Sequence, residues 1–309
     1  MEGLALDAAK RYLPPDDDVW QRDWSNQHAI FTVENGVVKF KVKNIRDYAE
    51  DFGFSRRTIL KKFIDEIGIG TFKLPFDASM HDFVGIQMNV DYGHSILSAS
   101  VLDTDTTNIC IPDFYAMEDY GGKLDDVDLL PTEHKVDRLL FIGSATGDPE
   151  PSKNKRISFC QFSQNRDWID SYISDVSHVG IQNMFNFDSN CGSYLHSPIP
   201  PRFQKMYKHI ASIDGHTAAW DRVPWIMASK SVLWKYESPH QCWYYPLMKP
   251  WKHYVPFTTE TIDNIWGPSD QYPILVQNSN DFAKHVLSKK GHQEYLRLFF
   301  ENIKELKEP

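Results

Sequence analysis

Apolar positions recur along this chain with two different periods, and the switches between them mark out its elements. From His28 to Lys43 apolar and polar residues alternate on both sides of Glu34-Asn35-Gly36. Alternation predicts half-buried strands, and Asn-Gly suits the tight turn of a hairpin. From Asp47 to Ile67 the apolar residues Phe54, Ile59, Leu60, Phe63 and Ile67 fall at helical spacing, with Gly68 as the stop. Phe83–Val90 and Ile96–Leu102 are short β-branched runs and predict buried strands.

Beyond the acidic, glycine-containing stretch 118–135, the pattern becomes a strand-helix alternation. Strands are predicted at Arg138–Ile142, Lys208–Ile213 and Val232–Lys235. Helices are predicted from within Lys153–Phe159 and at Thr217–Ala228. Asp281–Lys290 and Gln293–Lys307 read as two final helices broken at Gly291. Alternating strands and helices predict an α/β fold with parallel sheets. The chain has 309 residues, enough for two domains, and 118–135 is the predicted linker. The expected division is 1–135 and 136–284, with the helices of about 285–309 packing back on the first domain.

Composition narrows the function. Hydrophobic residues at 41% and charged residues at 24% describe an ordinary globular chain. The net charge of −9 argues against a nucleic-acid partner, because binding phosphates needs a basic surface. No apolar run approaches a membrane span and Met1–Arg11 lacks a signal-peptide core. Cys110, Cys160, Cys191 and Cys242 form no CxxC pair, which suits reduced thiols in the cytoplasm. Aromatic residues reach 14%, a supply for a rich core or for stacking on sugars and bases.

The dinucleotide fingerprint, the Walker A loop, HExxH and GxSxG do not occur. Asp103-Thr104-Asp105 at a strand end can hold Mg²⁺ or Mn²⁺ against a diphosphate, as in metal-dependent glycosyltransferases with a single Rossmann-like domain, or can be a solvated turn. Leu139–Gly147, LLFIGSATG, is an apolar strand opening into a loop of small residues. In an open α/β sheet such a loop lies where backbone N–H groups can cradle phosphate, although a tight structural turn looks the same. Arg156 follows at the start of the predicted helix, within reach of the same phosphates.

Three longer stretches carry a specific resemblance. The loop at 143–147, HTAAWDRVPWIMASKSVLWKYES at His216–Ser238 and YPLMKPWKHYVPF at Tyr245–Phe257 are similar to glycosyltransferase family 90. That family includes capsule-associated proteins, lipopolysaccharide-modifying transferases and protein O-glucosyltransferases. The similarity spans about 136–300, thins over 80–135 and is absent from 1–75.

The resemblance implies a GT-B fold of two Rossmann-like domains facing a central cleft. It also implies inversion at the anomeric carbon, a UDP-sugar donor carrying glucose, xylose or a similar sugar, and no metal or other cofactor. Carried over by position, Gly143, Ser144 and Thr146 meet the diphosphate, and Arg222 neutralises it with Arg156. Asp214 and Glu237 complete the donor side. For Arg222 the competing reading is a surface ion pair. Within MNVDYG at Met88–Gly93, Asp91 matches the aspartate that deprotonates the acceptor, with His94, Asp113 and Glu118 in reserve. His94, Trp251 and His253 are cleft candidates, and Pro250-Trp251 is equally readable as a buttress.

Three departures stand out. Ile142 replaces the usual arginine. Trp220-Asp221 replaces a small hydroxyl residue before Arg222. The chain ends Lys-Glu-Pro, without the retention tetrapeptide and cysteines of the O-glucosyltransferases. They direct the expectation to a cytoplasmic enzyme with a glycan or lipid-linked saccharide acceptor, such as lipopolysaccharide. A metal-dependent transferase using Asp103 and Asp105, and a sugar-binding protein without activity, are the competing readings.

Overall fold

The computed structural model describes residues 1–11, 29–34, 37–42, 59, 62–63, 65–67, 72–76, 97–106, 108–124, 128, 130–176 and 195–307. For 29–34, 37–42, 72–76, 304 and 307 it describes the backbone alone. In chain order the first elements are α1 (Glu2–Arg11), β1 (Ala29–Glu34), β2 (Val37–Val42), β3 (Phe72–Phe76), β4 (Leu97–Ser98), β5 (Val101–Leu102), β6 (Ile109–Cys110) and α2 (Phe114–Met117). Next come β7 (Val136–Ser144), α3 (Lys155–Ser163), β8 (Ile169–Asp175), α4 (Pro201–Gln204), β9 (Tyr207–Ser212), α5 (Arg222–Met227) and β10 (Val232–Tyr236). The last are β11 (His240–Gln241), β12 (Val255–Phe257), α6 (Ile262–Ile265), α7 (Tyr272–His285) and α8 (Lys289–Lys307).

Two compact units share these elements. Unit 1 gathers Met1–Asp119, Pro239–Leu247 and Val286–Pro309; unit 2 holds Tyr120–Ser238 and Met248–His285. The first boundary thus falls at 119/120, ahead of the expected 135/136. Two later segments join unit 1.

In unit 1, β1 and β2 pair antiparallel with Glu34 opposite Val37, which leaves the two-residue link expected of Asn35-Gly36. Its sheet, ordered β2-β1-β3-β4-β6, is mixed rather than parallel: β1 pairs antiparallel with β3, while β3–β4 and β4–β6 are parallel. The α8 helix buries Tyr295, Leu296, Phe299, Phe300 and Ile303, one stripe at helical spacing. It packs on α1, whose buried residues are the small Ala5, Ala8 and Ala9. Tyr295 stacks on Trp243 with ring centroids 4.3 Å apart.

Unit 2 is built on a five-stranded sheet ordered β12-β10-β9-β7-β8, every pair parallel. Numbered within the sheet from its first strand, the order is 2-1-3-4-5, that of a doubly wound α/β sheet. Alternate residues of β7 serve opposite faces. Leu139 and Phe141 join one core cluster with Ile157 and Phe159 of α3, Trp234 and Phe257, while Leu140 and Ile142 are buried on the other side. Phe159 meets Phe141 and Phe257 edge-on at 5.9 and 5.7 Å. Rings buried this completely contribute roughly 1.5–3 kcal/mol each by area alone.

Several boundaries differ from expectation. The helix expected from Thr217 begins at Arg222, because the segment before it folds on itself: Gly215 N donates to Thr217 O and Ala219 N to the Asp214 carboxylate. Gly291 lies inside α8, and the break falls after His285. Strands β8 and β12 were not expected. Ile96–Leu102 is divided into β4 and β5. The run Phe83–Val90 lies outside the described residues, as does most of the helix expected over Asp47–Ile67. No helix among the described residues is long and apolar enough to cross a membrane.

Candidate functional site

A doubly wound sheet opens a crevice where its strand order reverses, outside the carboxyl ends of the strands. Here that point lies between β7 and β9. The chain leaves β7 at Ser144 for β8 on one side and returns to β9 on the other. Two loops border the crevice, 145–154 after β7 and 213–221 after β9.

The first loop is tied down closely. Asn154, with no exposed surface, caps α3: its Oδ1 accepts from Arg156 N at 3.1 Å and Ile157 N at 3.2 Å. Its Nδ2 donates to Ala145 O at 3.0 Å, Thr146 O at 3.4 Å and Asp148 O at 3.0 Å. Gly147 takes φ +126, open to glycine and strained for other residues. Its N–H donates to His216 Nδ1 at 3.2 Å, and Ala145 N–H donates to Asp175 O at 2.7 Å. The N–H groups of Ala145 and Gly147, two of those expected to cradle phosphate, are thus engaged with β8 and the second loop. Positive charge at the crevice comes from side chains instead.

Arg156 is 8% exposed. Its Nε donates to Ile213 O at 3.0 Å and its Nη1 to Ser144 O at 2.9 Å and Thr146 Oγ1 at 2.5 Å. One guanidinium thus ties the end of β7 to the end of β9. Arg222, first residue of α5, donates through Nη2 to Ile142 O and through Nη1 to Gln204 Oε1 at 3.4 Å. A β-carbon at Gly143 would lie 3.6 Å from Arg222 Nη2 and 3.7 Å from Arg156 Nη1, so the two cations flank that glycine. Burial pushes both guanidinium pKa values down, that of Arg156 to about 10 with the Arg222 charge as the second cause. Asp214 opposes that shift in Arg156. Neither arginine has a carboxylate within ion-pair distance among the described residues.

Asp214 is committed elsewhere: its Oδ1 accepts from Ala219 N at 2.9 Å and its Oδ2 faces Lys235 Nζ at 3.3 Å, both side chains buried. It shapes the second loop. Gly215 is packed so closely that an added β-carbon would overlap Thr146 Oγ1 and sit 3.1 Å from Arg156 Cζ. Ser144 and Thr146 are half-buried. Ile142 supplies its backbone carbonyl to Arg222 while its side chain is buried in the sheet.

The structure brings Gly143, Ser144, Thr146, Arg156, Asp214 and Arg222 to one crevice. Glu237 is exposed just past the carboxyl end of β10, with its N–H bonded to Phe257 O. Trp251 and His253 belong to the turn that enters β12 from its amino end, the opposite edge of the sheet. There His253 Nδ1 accepts from Lys249 N at 2.9 Å and its ring lies on Phe282, a structural packing. Trp251 has φ 60 and is 48% exposed. Asp91 and His94 lie outside the described residues. In unit 1 Asp113 is the buried cap of α2, accepting from Ala116 N at 3.0 Å, and Glu118 is exposed. Both oxygens of Asp105 accept from Asn108, at 2.8 and 2.7 Å, while Asp103 is exposed on the same turn. Among the described residues no three His, Cys, Asp or Glu side chains gather at metal-binding distance.

Residues 147–300, which hold Arg156, Asp214, Arg222 and the strands β8, β9, β10 and β12 but not β7 or residues 143–146, match the model of glycosyl transferase family 90. Through this region the chain belongs to glycosyltransferase family 90. Protein O-glucosyltransferase 3 of Homo sapiens is 39% identical over 131 residues, 42% of this chain and 23% of that protein. Its Mus musculus counterpart is 46% identical over 50 residues, 16% of this chain and 10% of that protein. Uncharacterized protein 035R of Invertebrate iridescent virus 3 is 28% identical over 185 residues, 53% of this chain and 16% of that protein. The chain spans less than a quarter of the length of these relatives.

Within this family 90 chain, three crevice residues escaped the sequence reading. Asn154 was legible as an N-cap, since it directly precedes the helical run Lys155–Ser163. His216 and Lys235 carried no signal of their own: strand connectivity alone brings His216 to Gly147 and Lys235 to Asp214.

Proposed function

We propose that this chain is an inverting, metal-independent glycosyltransferase of GT-B type that moves a sugar from a UDP-sugar to a hydroxyl group. One observation carries the reading. Two desolvated guanidinium groups flank Gly143 at the switch point of a parallel sheet, with no carboxylate paired to either among the described residues. Arg156 is buried and Arg222 half-buried, and holding two like charges beside one glycine is costly unless an anion completes the site. A nucleotide diphosphate supplies that anion. Unit 2 then holds the donor and unit 1 the acceptor. The names of the curated relatives point to glucose as the first sugar to test. The four cysteines, scattered along the sequence without a CxxC pair, suit a cytoplasmic enzyme with a glycan or lipid-linked acceptor.

In the proposed reaction the acceptor oxygen attacks the anomeric carbon from the face opposite the diphosphate and loses its proton to a carboxylate, Asp91. The bond from the anomeric carbon to the β-phosphate oxygen breaks as the new glycosidic bond forms. Negative charge develops on the departing diphosphate, where Arg222 and Arg156 meet it. A charge-assisted bond of this kind contributes roughly 1.5–3 kcal/mol.

The test is release of UDP from UDP-glucose and UDP-xylose with EDTA present. Turnover should persist under chelation, and Asp91→Asn should lower it about a hundredfold to ten-thousandfold with donor affinity unchanged. Turnover abolished by EDTA and restored by Mn²⁺ would return the chemistry to Asp103 and Asp105. Near-normal turnover in Asp91→Asn would move the base elsewhere.

A further inference from the structure

The crevice loops are joined at a second point besides Arg156. Gly147 N–H donates to His216 Nδ1 at 3.2 Å, so that nitrogen is an acceptor and carries no proton. The neutral ring then holds its proton on Nε2. A doubly protonated ring has donors at both nitrogens and cannot accept from Gly147. Gly147 has little freedom to adapt. Its φ of +126 is fixed by the turn, and a β-carbon there would meet Asn154 Nδ2 at 3.3 Å and Gly215 C at 3.7 Å. Asn154 in turn holds the Ala145, Thr146 and Asp148 carbonyls and caps the helix that delivers Arg156. A change at the His216 contact therefore reaches both loops and the cation between them.

We infer that His216 is a positioning residue of the diphosphate site, a clip whose protonation releases the Gly147 loop and weakens donor binding in acid. This rests on the donor reading above and adds regulation of that same site by pH. An unperturbed imidazole titrates near pH 6.5, inside the physiological range. Charged groups on the surrounding elements act in both directions. Asp148 beside Gly147 and Asp214 at the end of β9 favour the imidazolium. Arg156, whose Cζ would lie 3.1 Å from a Gly215 β-carbon, and Arg222 at the head of α5 oppose it.

The opposite sign follows if His216 touches the phosphates directly. An imidazolium would then attract the diphosphate, and affinity would rise as pH falls. The direction of the pH dependence separates a clip from a ligand.

The experiment is calorimetric titration of the full chain with UDP-glucose at pH 8.0 and pH 5.5. Its diphosphate is a diester that stays ionised across this range, so the ligand does not titrate. If only the neutral ring is competent, affinity should be several-fold weaker at pH 5.5 than at pH 8.0. His216→Asn places an amide oxygen near the Nδ1 position and should bind with a flat pH response. His216→Leu should be weak at both pH values, with a melting curve showing it folded. Affinity that is constant or rises on acidification, or a wild-type pH response in His216→Asn, overturns the clip. No binding of UDP-glucose by the wild type at pH 8.0 instead overturns the donor reading.

Discussion

At Gly215 a single methyl group would overlap the Thr146 hydroxyl and press on the Arg156 guanidinium, two groups already bonded to each other. Neither has room to retreat, because Arg156 is also held by Ile213 O and Ser144 O. Gly215→Ala should therefore cost about 1–3 kcal/mol in stability and displace Arg156 from the crevice. Thermal melting with and without UDP checks this, and a variant with unchanged melting and UDP response would contradict the packing. Residue identities at this scale were partly legible. Arg156 and the Gly143 loop were legible from their place at a strand end, while Arg222 came from the resemblance to family 90. Asp214 changed meaning in the fold: its carboxylate is used by Ala219 N and Lys235, contacts that depend on which strand lies beside β9.

Among the elements, α3 and the loop before it form one device around Asn154. Two substitutions separate its halves. Asn154→Asp keeps the acceptor for Arg156 N and Ile157 N but turns the donors to the Ala145, Thr146 and Asp148 carbonyls into repelling oxygens. Asn154→Ala loses both and should be destabilised by about 2 kcal/mol or more. Urea denaturation should rank wild type above both variants, with UDP affinity reduced in Asn154→Asp as well. Full affinity there would mean that the loop holds its shape without Nδ2. The strands β7, β9 and β10 were legible because each is an apolar run on a sheet buried on both faces. The start of α5 was not. Thr217–Ala219 are apolar enough to continue the helical pattern, but Asp214 and Gly215 capture their backbone groups first. Trp251 and His253 stand out in sequence, yet strand direction puts their turn at the amino edge of the sheet.

Across the whole molecule, each unit buries a histidine held neutral. His209 accepts from Trp234 Nε1 at 3.1 Å through Nδ1, and its Nε2 faces Asp137 Oδ1 at 3.2 Å. Burial pushes its pKa down to about 4, against the partial opposition of Asp137. His292, which accepts from Trp243 Nε1 at 3.1 Å, is pushed by burial to about 3. The unfolded chain binds protons on both near pH 6.5 and the folded chain does not. Their contribution is thus complete above pH 6.5 and is lost as pH falls towards 4, about 3 kcal/mol for His209 alone. The urea midpoint should drop between pH 7 and pH 4.5, and His209→Asn, which keeps an acceptor and removes the titrating ring, should shrink that drop. An equal drop in the variant would assign the acid sensitivity to other groups.

The most direct measurement of the central claim is calorimetric titration of UDP into wild type and Arg222→Ala with EDTA in every solution. The account predicts binding by the wild type under chelation and a loss of about tenfold to a hundredfold in Arg222→Ala, with its melting temperature preserved. Equal UDP affinity in the two proteins, or wild-type binding that appears only when Mn²⁺ is restored, would contradict it.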